Sequence, residues 1–175
     1  MKTSIIFLFI IFIFVFLGYS FPNSETEATY LGIAKCKPCH IQIYNSWVKT
    51  PHAKAYKSLK DKAKVNNFLK SHNVSSLIPE EAPKSPDCVR CHTTGFELNG
   101  GFNLSKSNDN LINITCESCH GPGSSHYSAK RDEKAKFIVG KPDEKVCLTC
   151  HTKEMSPGFI YDEYVKKGVH EIVKR

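Results

Sequence analysis

All eight cysteines of this 175-residue chain fall into four Cys-x-x-Cys pairs, and a histidine follows each pair at once. The four read Cys36-Lys37-Pro38-Cys39-His40, Cys88-Val89-Arg90-Cys91-His92, Cys116-Glu117-Ser118-Cys119-His120 and Cys147-Leu148-Thr149-Cys150-His151. Two thiols three positions apart can add to the two vinyl groups on one edge of a porphyrin. The next residue then places its imidazole beneath the iron. Each repeat therefore reads as a c-type haem attachment site. Cys36, Cys39, Cys88, Cys91, Cys116, Cys119, Cys147 and Cys150 are the expected covalent anchors, and His40, His92, His120 and His151 the expected proximal iron ligands. Four c-type haems follow. A disulfide framework or paired zinc knuckles would use the cysteines but give no reason for a histidine after every second one. A thioredoxin-like dithiol would occur once, inside a βαβ pattern that this chain lacks.

The attachment sites begin at residues 36, 88, 116 and 147, about one haem per 39 residues once a leader is removed. So little protein cannot wrap a large core around each cofactor. The expected architecture is mainly α with extensive irregular loops, a compact multihaem cytochrome in which four haems form much of the core. Ile41, Tyr44, Trp47 and Val48 fall at helical spacing. Thr50 resembles an N-cap with Pro51 at the first helical position. The helix that follows is expected to carry Ala53, Tyr56, Leu59, Ala63 and Phe68 on one side and to fade at Ser71–Asn73. Residues 75–87, with Pro79, Pro83 and Pro86, read as a loop, as do residues 99–110 with Gly100-Gly101. No run of alternating strands is present.

The N-terminus is a short positive start, Met1-Lys2, followed by an unbroken apolar run from Ile5 to Leu17 and the small residues Gly18 and Ser20. This is a secretory signal, residues 1–20, leaving a tetrahaem cytochrome domain over residues 21–175. The expected location is the periplasm, with an N-terminal membrane anchor as the alternative if the signal stays uncleaved. Loss of Lys2 lowers the formal charge from +7 to +6. A basic excess raises the question of nucleic acid, but an exported chain seldom meets it, so no nucleic-acid partner is expected. Four haems, each about −1 when ferric and about −2 when ferrous, bring the balance to about +2 or about −2. The lysines read as counter-charge to the cofactors.

Four histidines remain outside the motifs: His52, His72, His126 and His170. Four irons each accept a sixth ligand, and Met155 is the sole methionine left after the signal. Histidine ligation on both faces is therefore the expectation for most sites, which lowers reduction potentials. His126 lies six residues after His120, and six extended residues reach at most about 20 Å. Gly121-Pro122-Gly123 spends that length on a turn, so His126 is expected to serve a neighbouring haem.

Several flanking segments carry a further signal. They are Tyr30-Leu31-Gly32, Trp47-Val48-Lys49-Thr50-Pro51-His52-Ala53, His92-Thr93-Thr94-Gly95-Phe96, the third motif with Gly121-Pro122-Gly123 and His126, and Lys166-Lys167-Gly168-Val169-His170. In this order they resemble the cytochrome c-554 family of tetrahaem cytochromes, typified by the electron acceptor of hydroxylamine oxidoreductase. The resemblance runs over about residues 30 to 171. It implies distal ligands at His52, His126 and His170. It matches nothing at His72, which stays a weaker candidate, and it implies that the second site, at His92, lacks a distal ligand.

The function that follows is transfer of single electrons between redox partners, either a multihaem oxidoreductase or a membrane quinol or quinone enzyme. The alternative is a haem enzyme acting on a small nitrogen compound (nitric oxide, hydroxylamine or nitrite) at one open haem. No catalytic residue is assigned, since Ser124-Ser125-His126 is no evidence of a triad.

Overall fold

The computed structural model describes residues 27–106, 108–138 and 140–171. The expected signal over residues 1–20, and its boundary with the 21–175 domain, lie outside the described residues. Among the described residues no helix is long and apolar enough to cross a membrane.

Short helices joined by irregular backbone make up the chain, as the sequence implies. They are α1 (Ile33–Cys36), α2 (Ile41–Trp47), α3 (Ala55–Leu59), α4 (Lys62–Ser71), α5 (Pro86–His92), α6 (Cys116–His120), α7 (Ser124–Ser128), α8 (Glu144–Leu148) and α9 (Tyr161–Gly168). Turns of 3-10 helix sit at His52–Lys54, Pro79–Lys84, Asp109–Leu111 and Lys134–Phe137. Among the described residues, extended pairing is confined to two isolated bridges, Thr93 with Ile112 and Asn103 with Lys106. Helices this short do not persist alone in water, so tertiary contacts must hold them.

Two local expectations need correction. The helix expected to run on from Pro51 is broken into the 3-10 turn, α3 and α4. Asp61 causes the break: it leaves helical geometry at ψ 93°, and its carboxylate caps α4 by accepting from Lys64 N at 3.2 Å. The cap resets the helical phase. Leu59, Val65 and Leu69 are buried, while Phe68 and Ala63 stay exposed. Residues 75–87 are not all loop either, since the turn at Pro79–Lys84 seats Ala82 fully inside. Pro86 then opens α5, where a missing N–H costs nothing.

The side-chain core consists of Leu59, Val65, Leu69, Ala82, Val89, Phe102 and Leu111. Beside it, residues 111–115 form a spine that positions three site-bearing segments. Trp47 Nε1 donates to Ile114 O at 3.0 Å, and Tyr56 N donates to Asn113 Oδ1 at 2.9 Å. Asn113 N reaches His92 O at 3.1 Å and Ile114 N reaches His52 O at 3.2 Å. The buried Thr94 hydroxyl donates to Asn113 O at 2.8 Å and receives Thr115 N at 3.0 Å. The second motif, His52 and the third motif are thereby tied to one strip of backbone. Past Glu117, no described residue is buried.

Candidate functional site

On a helical turn, residues i, i+3 and i+4 share a face, and each motif adopts such a turn. The second and third lie within α5 and α6. In the first, His40 N donates to Cys36 O at 3.1 Å, and in the fourth His151 N donates to Cys147 O at 2.9 Å. Both thiols and the imidazole of each motif are therefore presented together. No disulfide joins any of the eight cysteines.

Contacts between motifs order them in space. The Cys36 and Cys116 thiols lie close enough to perturb each other's ionisation, and their helices α1 and α6 are in contact, joining the first motif to the third. The Cys91 and Cys150 thiols likewise lie close enough to perturb each other's ionisation, joining the second motif to the fourth. Cys119 is pushed up to about 11, first by burial and then by the nearby Cys147 and Cys150, which places the third motif beside the fourth. The spatial order is first, third, fourth, second.

Three of the four motif histidines face a second histidine from elsewhere in the chain. His40 and His126 have ring centroids 6.2 Å apart with planes inclined by 29°, and His120 and His170 are 6.2 Å apart at 21°. His52 and His151 are 6.1 Å apart at 56°. That separation accommodates one metal ion with imidazole bonds of about 2 Å on each side. Backbone partners orient the rings. His126 Nδ1 donates to Lys134 O at 2.9 Å, and His170 Nδ1 donates to Glu171 O at 2.9 Å. Donation from Nδ1 leaves the Nε2 lone pair for a metal. His151 Nδ1 lies 2.9 Å from Ser156 Oγ. Burial holds His151 below the ordinary histidine value, and burial followed by the His151 charge does the same for His52.

No second imidazole faces His92 among the described residues. Its Nδ1 donates to Ala55 O at 2.7 Å in α3, with Ser58 Oγ at 3.3 Å, and burial lowers its pKa as well. His72 does not approach it. That ring stacks on Phe68 at 4.0 Å and bonds Phe68 O through Nδ1 at 2.9 Å, at the end of α4. Met155 is 52% exposed.

Residues 35–121 match the family of cytochrome c554 and c-prime. The chain is 38% identical to cytochrome c-554 of Nitrosomonas europaea, across 85% of this chain and 77% of that protein. The chain belongs to the cytochrome c-554 family. A solved structure of cytochrome c554 from Nitrosomonas europaea, in the reduced state, aligns with a TM-score of 0.64 at 31% identity. That alignment covers 82% of this chain and 86% of the other. As a member of the cytochrome c-554 family, the protein is a multihaem c-type cytochrome and electron carrier whose cofactors are four c-type haems. The donor set fits them: each motif offers two thiols and an imidazole, and a cleft of about 410 Å³ opens beside His120, bordered by Pro122 and Phe137.

One residue of the site escapes motif reading. Glu117, between the cysteines of the third motif, is 2% exposed and accepts hydrogen bonds from Leu31 N, Gly32 N and Gly123 N. The signal was a carboxylate at a position that the other motifs fill with Lys37, Val89 and Leu148.

Proposed function

We propose that the protein is a periplasmic carrier passing single electrons through four haems, three held between two histidines and one held by His92 alone. The observation that carries this reading is the set of three histidine pairs at 6.1–6.2 Å. The eight motif cysteines anchor the cofactors, and His40, His92, His120 and His151 are the proximal ligands. His126 is the distal ligand opposite His40, His170 opposite His120, and His52 opposite His151. His126 thus crosses to another haem rather than folding back on that of His120, tying attachment sites together.

Bound haem supplies an iron that gains and loses one electron without changing its ligands. The chain's part is to fix those ligands, and ligation by two histidines favours low potentials. The motif order first, third, fourth, second supports an unbranched path with the His92 site at one end. The apolar run at residues 5–17 supports export, with membrane anchoring if it is retained. Protein redox partners of the multihaem-oxidoreductase or membrane quinol-enzyme kind would load and unload the two ends.

A second reading rests on His92. An iron held by this imidazole on one face only is open to a small nitrogen ligand such as nitric oxide, hydroxylamine or nitrite. One experiment tests both readings: EPR of the oxidised protein with and without nitric oxide. Three low-spin signals and one high-spin signal are expected, and only the high-spin one should respond. Four low-spin signals would overturn the His92 assignment, and retention of four in His72→Ala would exclude His72 as the missing ligand.

A further inference from the structure

We propose that Glu117 is a positioning residue whose buried negative charge makes the first and third haems the low-potential pair of the four. This rests on the attachment sites assigned above and adds a determinant of their redox ordering.

Burying a carboxylate is costly unless donors replace its water. Here three backbone N–H groups do so. Leu31 N lies 3.0 and 3.2 Å from the two oxygens, Gly32 N lies 2.7 Å from Oε2, and Gly123 N lies 2.7 Å from Oε1. These partners are all donors, and they converge from 86 and 85 residues before Glu117 and six after it. Glycine at two of the three positions is what permits the approach. A Cβ on Gly123 would stand 2.9 Å from Oε1, and Gly32 has φ +83°, which side chains rarely adopt. The equivalent position of the second motif, Val89, is just as buried but apolar. The charge is a particular feature of the third site, not a general one.

None of the ion pairs among the described residues engages Glu117, so its charge is solvated by amide dipoles but not cancelled by a cation. Its location selects two sites. Glu117 adjoins Cys116 in α6, which packs against α1, and Gly32 leads directly into α1, which ends at Cys36. The carboxylate therefore lies at the junction of the first and third attachment sites. Its field reaches this neighbourhood: Tyr30 is raised by burial first and by the Glu117 charge second. Reduction removes one positive charge from an iron centre, and a fixed negative charge nearby in a poorly screened interior opposes that change. The second and fourth sites lie further along the chain of motifs and feel it less.

The test is a spectroelectrochemical titration of the haem-loaded protein and of Glu117→Gln and Glu117→Asp. In Glu117→Gln the reduction equilibrium of two haems should rise at least tenfold, 59 mV for one electron, with the other two moving far less. Glu117→Asp keeps the charge and should keep all four potentials within threefold, even where the lost hydrogen bonds lower stability. Unchanged potentials in Glu117→Gln, an equal rise in all four haems, or the same rise in Glu117→Asp would overturn the proposal. If Glu117→Gln yields no haem-loaded protein, Glu117→Asp decides alone: retained potentials support the proposal, and raised ones overturn it. Failure of the underlying assignment would look different, as fewer than four haems by mass in the unaltered protein.

Discussion

Residues 59–111 bury Leu59, Val65, Leu69, Ala82, Val89, Phe102 and Leu111 against one another, and the second attachment site sits on that core. Residues 118–171 contain the fourth site, the end of the third and four of the six paired histidines, yet none that is described is buried. Apolar side chains are available there. Tyr127 is exposed, as are Phe137, Leu148, Met155, Ile160 and Tyr164. The segment supplies apolar side chains without a side-chain core of its own. The same division separates the histidines. His92 is steadied by a carbonyl of α3 on the side-chain core, whereas His120 and His151 face His170 and His52. Where the chain makes its own core it can leave a site one-sided. Where it does not, crossing histidines must hold the segments together.

The largest test of this contrast removes one attachment. Cys147→Ala/Cys150→Ala should yield a chain with fewer than four haems by mass, if it matures at all. Hydrogen exchange should then show protection lost over residues 140–171 and retained over residues 59–111. Equal loss in both regions would break the comparison. Next in size is the side-chain core itself. Leu69→Ala removes a buried side chain, and such deletions cost about 2–5 kcal/mol. Chemical denaturation should register a loss in that range while haem count and low-spin signals stay unchanged.

Ligand removal sharpens the histidine side of the contrast. His126→Ala should keep four haems and convert one low-spin EPR signal to high-spin, leaving two haems open in place of one. His170→Ala should do the same at the third site. His72→Ala should change no spin state, because that ring is engaged with Phe68 and Ser71.

How much of this was legible in the sequence follows from the range of each interaction. The attachment turns are local, so residue spacing alone shows them, and α2 is equally local. The break at Asp61 is local too, but periodicity carries the eye across it. Ala63 and Phe68 continue the stripe begun by Tyr56 and Leu59, and only the cap on Lys64 N shows that the phase restarts. The order of the motifs in space depends on contacts such as Cys91 with Cys150, across almost 60 residues, for which sequence carries no cue. Glu117 was hidden for another reason. Its partners are backbone amides, which look the same at every position, so nothing in the identity of Leu31 announces the bond.

The smallest expected effect concerns Gly168, the last residue of α9. A Cβ at this position would meet His52 Cε1 at 3.4 Å and Nδ1 at 3.7 Å. Gly168→Ala sets two effects against each other. Alanine favours helix over glycine by up to about 1 kcal/mol, and less at a helix end. The new methyl meets the ring at the edge of ordinary contact, so the imidazole must give by a few tenths of an ångström at most. Stability should therefore hold or rise slightly, by less than about 1 kcal/mol. The ring displacement should appear elsewhere, as altered g-values of one low-spin signal, that of the His52 and His151 site, with the signals of the other sites unmoved. Because His170 lies only two residues on and faces His120, a shift in two signals would mean that α9 moves as a body and couples the third and fourth sites mechanically. A shift in one would mean that each distal histidine is held on its own.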